Sequence, residues 1–313
     1  MEDGIYFNLE EEVYHNEKRL SSSGIRDILE NPTYYWFNSN FNPLKEEKPS
    51  EAMKDGKILH AMILEGENFA NKYKITPFEI EGLNKNSSEY KIWRMAQDKE
   101  IVSYTKYKKF RTLCQYLAED GQILDCSIFK DGFPEVSIFW TEGGIKRKAR
   151  IDYLKFGSII DLKTYVKTKK SPLNNFISQY FFSYRVYIQI IYYTRALEFA
   201  LREGLKVHGN AEQKKFWESL HDCERFLGMV AFINREIPQT AFKVFLEEKC
   251  QDLWRLGEKQ IKEAENIYTE YMSKYGAKSA WLQDMGVVAD DVTFTDADFP
   301  QSFYELLQGG EHE

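Results

Sequence analysis

The stretch Arg150-Ile-Asp-Tyr-Leu-Lys-Phe-Gly-Ser-Ile-Ile-Asp-Leu-Lys163 constrains this chain more than any other. It reads as two β-strands joined by a tight turn at Phe156-Gly157. Asp161 and Lys163 stand two residues apart, so on an extended strand both side chains leave the same face. If Phe156-Gly157 is a two-residue hairpin loop, Asp152 lies opposite Asp161 with Cβ atoms about 5 Å apart. Two facing carboxylates repel unless a cation sits between them. A hard divalent metal held by two carboxylates, with a lysine beside it, is an arrangement that cleaves phosphodiesters. Phe-Gly is a poorer two-residue turn than Asn-Gly, and a bulged three-residue loop would shift the pairing by one. The competing reading is an amphipathic hairpin with charges on its wet face. Ile159, Ile160 and Leu162 count against it, because a strand this apolar is a costly place for an unpaired aspartate.

Composition bounds the rest. The 313 residues suffice for one large domain or two small ones, and 43% hydrophobic with 15% aromatic content supports a packed core and excludes a disordered chain. Met1-Glu-Asp-Gly opens acidic and polar, unlike a secretory leader. No apolar run approaches the roughly 20 residues of a membrane span, so no membrane partner is expected. Cys114, Cys126, Cys223 and Cys250 are scattered without a C-x-x-C pair. That usage predicts reduced thiols in a cytoplasmic protein and no zinc or iron–sulfur site. A net charge of −7 argues against a simple nucleic-acid coat protein. The charges are unevenly placed, however. Basic residues cluster at Lys106–Arg111, at Lys146–Arg150 and from Lys163 through Lys167, Lys169 and Lys170, while Asp284, Asp290, Asp291, Asp296 and Asp298 gather near the C-terminus. A charge run is usually a solvated face. Two of these basic clusters flank the carboxylate hairpin, as a basic cleft for a DNA or RNA backbone would require.

Serines 21–23 cap a short helix that Asn31-Pro32 stops. Helices are predicted from Ala52 to Leu64, Ser88 to Glu119, Leu173 to Glu203 and Glu247 to Tyr275. Strands are predicted at Glu135–Trp140, Ile145–Leu154, Ser158–Lys163, Phe226–Ile233 and Ala241–Leu246, with Gly143-Gly144 as a turn. The expected fold is α/β (α+β): a central mixed, mostly antiparallel sheet flanked by helices. The expected organisation is a single domain over residues 1–280, with a helical lobe (1–120) and a sheet core with packing helices (121–280), followed by an acidic tail (281–313).

Several further residues are capable of chemistry. Gly56 and His60 share one face of a helix, and a mid-helix glycine costs about 1 kcal/mol relative to alanine, so something must approach closely there. A lone helical histidine is by default a packed or surface residue. Glu135 precedes an apolar strand and reads alone as a strand-edge glutamate. Arg150 shares a strand face with Asp152, as a salt-bridge partner or a phosphate contact. Gln189 and Tyr193 stand one turn apart on an aromatic helix, which is either simply buried or presents Gln189 to the hairpin.

In order, these read G-x-x-x-H, E, R-x-D, D-x-K and Q-x-x-x-Y. The set resembles the RecB-type branch of the PD-(D/E)XK nuclease superfamily, and within it the RecE-like, exodeoxyribonuclease VIII-type exonucleases. The likeness extends over roughly residues 15 to 275. It implies that His60, Asp152, Asp161 and the backbone carbonyl of Leu162 coordinate Mg²⁺, with Mn²⁺ as a substitute. It implies that Lys163 orients the attacking water, that Glu135 is a further acidic site residue, and that Gln189 and Tyr193 orient the site. Arg147, Lys148, Arg150, Lys167 and Tyr193 are the candidate DNA contacts. Imidazole is the least typical ligand for so hard an ion. The cysteine set of the family's iron–sulfur members is absent, so no cluster is expected. The implied activity is a 5′-to-3′ exonuclease on linear double-stranded DNA, working in phage-type recombination with a single-strand annealing protein. The implied assembly is a homo-oligomeric ring. The alternatives are a structure-specific or single-strand endonuclease in defence or repair, and a non-cleaving DNA- or protein-binding module on a nuclease fold.

Overall fold

A computed structural model of the chain describes residues 1–46, 49–119, 126–167, 172–237, 240–245 and 247–282. Lys169 and Lys170 of the third basic cluster lie outside the described residues, as does the expected acidic tail from residue 283 onward.

In chain order the strands are β1 (Gly4–Tyr6), β2 (Tyr73–Ile75), β3 (Glu100–Val102), β4 (Gly132–Glu142), β5 (Ile145–Lys155), β6 (Ser158–Tyr165), β7 (Val207–His208), β8 (Leu227–Asn234) and β9 (Thr240–Phe245). The helices are α1 (Glu11–Asn16), α2 (Ser22–Glu30), α3 (Pro32–Asn38), α4 (Glu51–Leu64), α5 (Phe69–Lys72), α6 (Phe78–Glu81), α7 (Ser88–Met95), α8 (Tyr104–Glu119), α9 (Leu173–Ser183), α10 (Val186–Arg202), α11 (Ala211–Ser219) and α12 (Gln251–Tyr275). Seven strands form one sheet in the order β7-β1-β4-β5-β6-β8-β9, and β2 pairs with β3 in a small second sheet. Among the named strands of the main sheet, as far as the described residues go, β1–β7 and β6–β8 are the parallel pairs and the others run antiparallel. The architecture is therefore a mixed α/β fold with a mostly antiparallel central sheet.

Helices cover both faces. One core gathers Val136, Ile138, Trp140, Ile151 and Ile159 of the sheet against α2, α3, α10 and α12. The other packs Ile160, Leu162, Ala231 and Ile233 against Ile58 and Leu59 of α4 and Phe110 of α8. Burial on both faces explains why β6 and β8 read as near-continuous apolar runs.

The β5–β6 loop has two residues: Lys155 pairs with Ser158, and Gly157 takes φ +66°. The bulged alternative is thereby excluded. The β4–β5 turn is Gly143-Gly144, with φ +59° and +79°, values open to glycine at little steric cost.

Three local expectations need correction. The segment 88–119 is two helices rather than one, because Glu100–Val102 is drawn into pairing with Tyr73–Ile75. The segment 173–203 breaks at Tyr184-Arg185, where Arg185 adopts φ +48°. The N-terminal stretch is not wholly helical, since Gly4–Tyr6 forms a strand of the central sheet against Ser137–Phe139 of β4.

Candidate active site

The site begins where the β5–β6 ladder stops. Pairing runs from Lys155↔Ser158 to Tyr153↔Ile160 and goes no further. At the next position Asp152 replaces a ladder bond with its side chain, and Oδ2 accepts the Leu162 N–H at 2.8 Å. On its other side, β4 pairs with β5 at Pro134↔Tyr153 and at Val136↔Ile151, skipping the Glu135–Asp152 position between them. Glu135 sits there with φ +56°. A non-glycine residue in this region costs on the order of 1–3 kcal/mol, and such strain concentrates at functional sites. Here the turn-out accompanies contacts of the Glu135 carboxylate with His60 and Arg150.

Helix α4 supplies His60. A Cβ added at Gly56 would meet Thr164 Oγ1 of β6 at 3.1 Å, so the glycine permits the close approach that its mid-helix cost demanded. One turn on, His60 Nε2 lies 3.0 Å from the Leu162 carbonyl oxygen and 3.3 Å from Asp152 Oδ2, while Nδ1 lies 3.6 Å from Glu135 Oε1. Burial opposes the imidazolium, but the two carboxylates outweigh it and raise the His60 pKa to about 10. His60 is thus the cation that separates Asp152 from Glu135. Asp152 is held below the usual carboxylate range: burial pushes it up, and His60, Lys163 and the Leu162 amide more than compensate.

Asp161 is fully buried. Its Oδ1 accepts from Lys163 Nζ at 2.7 Å and from Gln189 Nε2 at 2.8 Å. Its Oδ2 is buried with no hydrogen-bond partner. Burial raises its pKa, opposed by Lys163 and aided by the Asp152 charge. Lys163 is itself raised, since Asp161 and Asp152 overcome its burial. Gln189, on α10, closes the network by accepting from Lys163 at 3.1 Å and donating to the Tyr193 hydroxyl at 2.8 Å. Burial and the Asp152 charge hold the Tyr193 phenol well above its ordinary pKa, so it stays neutral.

The structure therefore brings together His60, Glu135, Arg150, Asp152, Asp161, Leu162, Lys163, Gln189 and Tyr193. Arg150 donates through Nε to Glu135 and leaves Nη1 buried without a partner. Two of the expected DNA contacts are instead internal. Arg147, 2% exposed, pairs with Glu265 of α12 at 2.7 Å. Lys148, 7% exposed, donates to the carbonyls of Tyr14, His15 and Glu17 at 2.8–3.0 Å, where it caps the end of α1. Both side chains are spent on these internal partners. Lys167 lies just past β6 and is half-buried.

A cavity of about 320 Å³ opens over Glu135, Arg150, Asp152 and Gln189, and a larger one of about 940 Å³ lies beyond Leu162 and Lys163; Lys57 and His60 line both. Tyr14, Arg26, Lys57 and Lys72 also line the smaller cavity, and the sequence reading missed them. For Lys57 a signal existed, since it lies one turn before His60 on the same helix face. For Tyr14 there was none: its position depends on α1 folding over β5.

Among the described residues, no three His, Cys, Asp or Glu side chains converge as a ready metal-ligand set. The donor types nonetheless suit a hard divalent ion, which prefers oxygen ligands, and the bare Asp161 Oδ2 is an unsatisfied one. Among the described residues no helix is long and apolar enough to cross a membrane.

No protein-family model matches this chain, and no curated protein does. Among solved structures it is similar to a crystal structure from Eubacterium rectale named "Putative exonuclease", with a TM-score of 0.52 and 14% identity over 96% of this chain and 98% of that one. The chain shares the fold of that protein nearly end to end. A crystal structure named SSO0001 aligns at 16% identity over 72% of this chain and 97% of that one, with a TM-score of 0.23, too low to bear on the fold.

Proposed function

We propose that this protein is a Mg²⁺-dependent deoxyribonuclease, a 5′-to-3′ exonuclease on linear duplex DNA. The observation that carries the reading is the buried Asp161 carboxylate, with one oxygen held by Lys163 and Gln189 and the other without a partner beside Asp152 and His60. Asp152, Asp161, the Leu162 carbonyl and His60 would hold the metal. Bound there, it would lower the pKa of a water, neutralise the scissile phosphate and stabilise the leaving oxygen. Lys163, kept protonated by its two aspartates, orients the attacking water and offsets phosphate charge. Gln189 fixes the Lys163 ammonium and the Asp161 carboxylate relative to each other, and the Tyr193 hydroxyl fixes Gln189. Arg150, with one guanidinium nitrogen unspent, contacts a phosphate oxygen while holding Glu135. The likeness of fold to a structure named for an exonuclease supports this reading. A homo-oligomeric ring, a single-strand annealing partner and a role in phage-type recombination belong to the same proposal.

The test is cleavage of linear duplex DNA labelled at the 5′ or 3′ end, with Mg²⁺ or Mn²⁺, beside a covalently closed circle and the Lys163→Ala variant. Metal-dependent loss of one label, absent on the circle and in the variant, is expected. Cutting of the circle would replace exonuclease by endonuclease. DNA binding without any cleavage would reassign the protein as a binding module.

A further inference from the structure

The larger cavity beside Lys163 has a wall that the cleavage reading leaves unused. Rings of Tyr165, Phe176, Tyr180 and Tyr184 follow one another along it, with successive centroids 5.2, 6.4 and 4.4 Å apart. Tyr165 belongs to β6, two residues beyond Lys163. Phe176 and Tyr180 belong to α9, and the edge-to-face contact of Tyr180 with Phe232 at 5.7 Å anchors the row to the sheet. The last ring, Tyr184, is 59% exposed.

Tyr184 closes the last turn of α9, where its N–H donates to the Tyr180 carbonyl at 3.0 Å. A continuous helix would be the cheaper solution for so apolar a segment. Instead Arg185 adopts the left-handed conformation, a strained one for a residue other than glycine, and Arg26 of α2 holds the Tyr184 carbonyl at 3.0 Å. Tyr184 packs on Tyr180 one turn earlier, at the edge of the cavity, and the chain turns away into α10 directly after it. An exposed tyrosine packed on a half-buried one, beside a strained, hydrogen-bonded corner and continuous with the candidate catalytic residues, is a built surface.

We infer that this wall is a base-stacking subsite for unpaired nucleotides of the strand entering the active site. An aromatic row can stack any base, because every base has a π-face. Lys57, Lys163 and Arg235 on the same cavity supply positive charge for the backbone. At about 940 Å³ the cavity is at the upper end of ligand sites and exceeds the needs of a single phosphate. The occupant is single-stranded DNA, and the identity of that polymer rests on the nuclease reading.

The test is binding in EDTA, where no cleavage occurs. Fluorescence anisotropy would compare a single-stranded oligodeoxynucleotide, an abasic sugar–phosphate strand of the same length and a blunt duplex, on wild type, Tyr184→Ala and Tyr184→Trp. Wild type should prefer the base-bearing strand to the abasic one. Tyr184→Ala should remove about fivefold or more of that preference and leave abasic binding unchanged, and Tyr184→Trp should restore it. A 2-aminopurine in the strand should be quenched by wild type and Tyr184→Trp but not by Tyr184→Ala. Equal wild-type affinity for base-bearing and abasic strands, a preference untouched by Tyr184→Ala, or an equal Tyr184 dependence with blunt duplex would each overturn the inference. Base-dependent binding by a protein that cleaves nothing would sink the nuclease reading alone, whereas cleavage without base-dependent binding would sink this one alone.

Discussion

Lys163 and Asp161 meet through one oxygen only: the ammonium lies 2.7 Å from Oδ1, and Oδ2 is left buried without a hydrogen bond. An uncompensated buried carboxylate oxygen is destabilising, and a divalent ion is the natural compensation. Mg²⁺ or Mn²⁺ should therefore raise the melting temperature of the wild type with no DNA present, by the mass-action term of a ligand that binds only the folded state. Asp161→Asn should abolish that rise along with cleavage. A metal-independent melting curve in the wild type would remove Asp161 from the ligand set.

His60 gives the site a pH signature. Its folded-state pKa of about 10 lies above its unfolded value near 6.5, so its stabilisation is complete below about 6.5 and is lost as pH rises through about 10. Asp152 is shifted the other way, so its contribution exists above its unfolded pKa and disappears as pH falls through its lowered folded one. The pair is strongest between these limits. Denaturant titrations should show stability falling from pH 7 to 10, with a slope that His60→Ala flattens. A metal that uses His60 must displace its proton, so metal-induced stabilisation should strengthen as pH rises over the same interval.

Gln189 touches both Lys163 and Asp161, and in the proposed site it would work by holding them rather than by reacting. Gln189→Ala should lower kcat by about 10- to 100-fold, the range seen when groups that orient metal ligands are removed, with little change in KM. Gln189→Glu should be worse, because a third carboxylate would face Asp161 and push its pKa further up. Steady-state cleavage rates separate this from a merely structural role, which would lower the amount of folded enzyme and leave kcat per folded molecule intact.

Helix α4 reaches β6 through Gly56, and a Cβ there would meet the Thr164 hydroxyl at 3.1 Å. A hydroxyl can rotate away, and alanine gains about 1 kcal/mol of helix propensity, so Gly56→Ala should be near neutral for stability. Gly56→Leu cannot be accommodated so cheaply. It should displace α4 and carry His60 away from Asp152, cutting cleavage much more than it lowers the melting temperature.

How much of this could be read beforehand depended on how local each signal was. The Phe156-Gly157 hairpin, and the relation of Asp152, Asp161 and Lys163 within it, are set by turn length and strand alternation over fourteen residues. Arg147 and Lys148 show the opposite case. Their run looked like a basic surface, yet one pairs with Glu265 and the other caps α1, partners more than a hundred residues away. The helix break at Arg185 carries no glycine or proline, and the Arg26 contact that holds the adjacent carbonyl comes from a distant helix. Glu135 was flagged as an acid, but its left-handed backbone follows from the lost pairing position opposite Asp152, which only the folded sheet reveals.

The last prediction concerns charge beyond Leu282. Residues 283–313 carry eight Asp or Glu and no Lys or Arg, so without them the net charge of −7 becomes +1. The described chain is pinned just before this point: Trp281 is fully buried against Tyr35, Tyr268 and Tyr271, and its indole N–H donates to the Gly276 carbonyl at 2.8 Å. A truncation after Leu282 therefore keeps the anchor and should melt close to the full chain. Near-neutral proteins bind a polyanion better than acidic ones, and such long-range repulsion is screened by salt. The truncated protein should bind duplex DNA several-fold more tightly in low salt, with the advantage vanishing as salt rises past the physiological range. A full-length chain with those eight acids changed to Asn or Gln should behave as the truncation does. If it instead behaves as wild type while the truncation binds tightly, the segment obstructs DNA by its bulk and not by its charge.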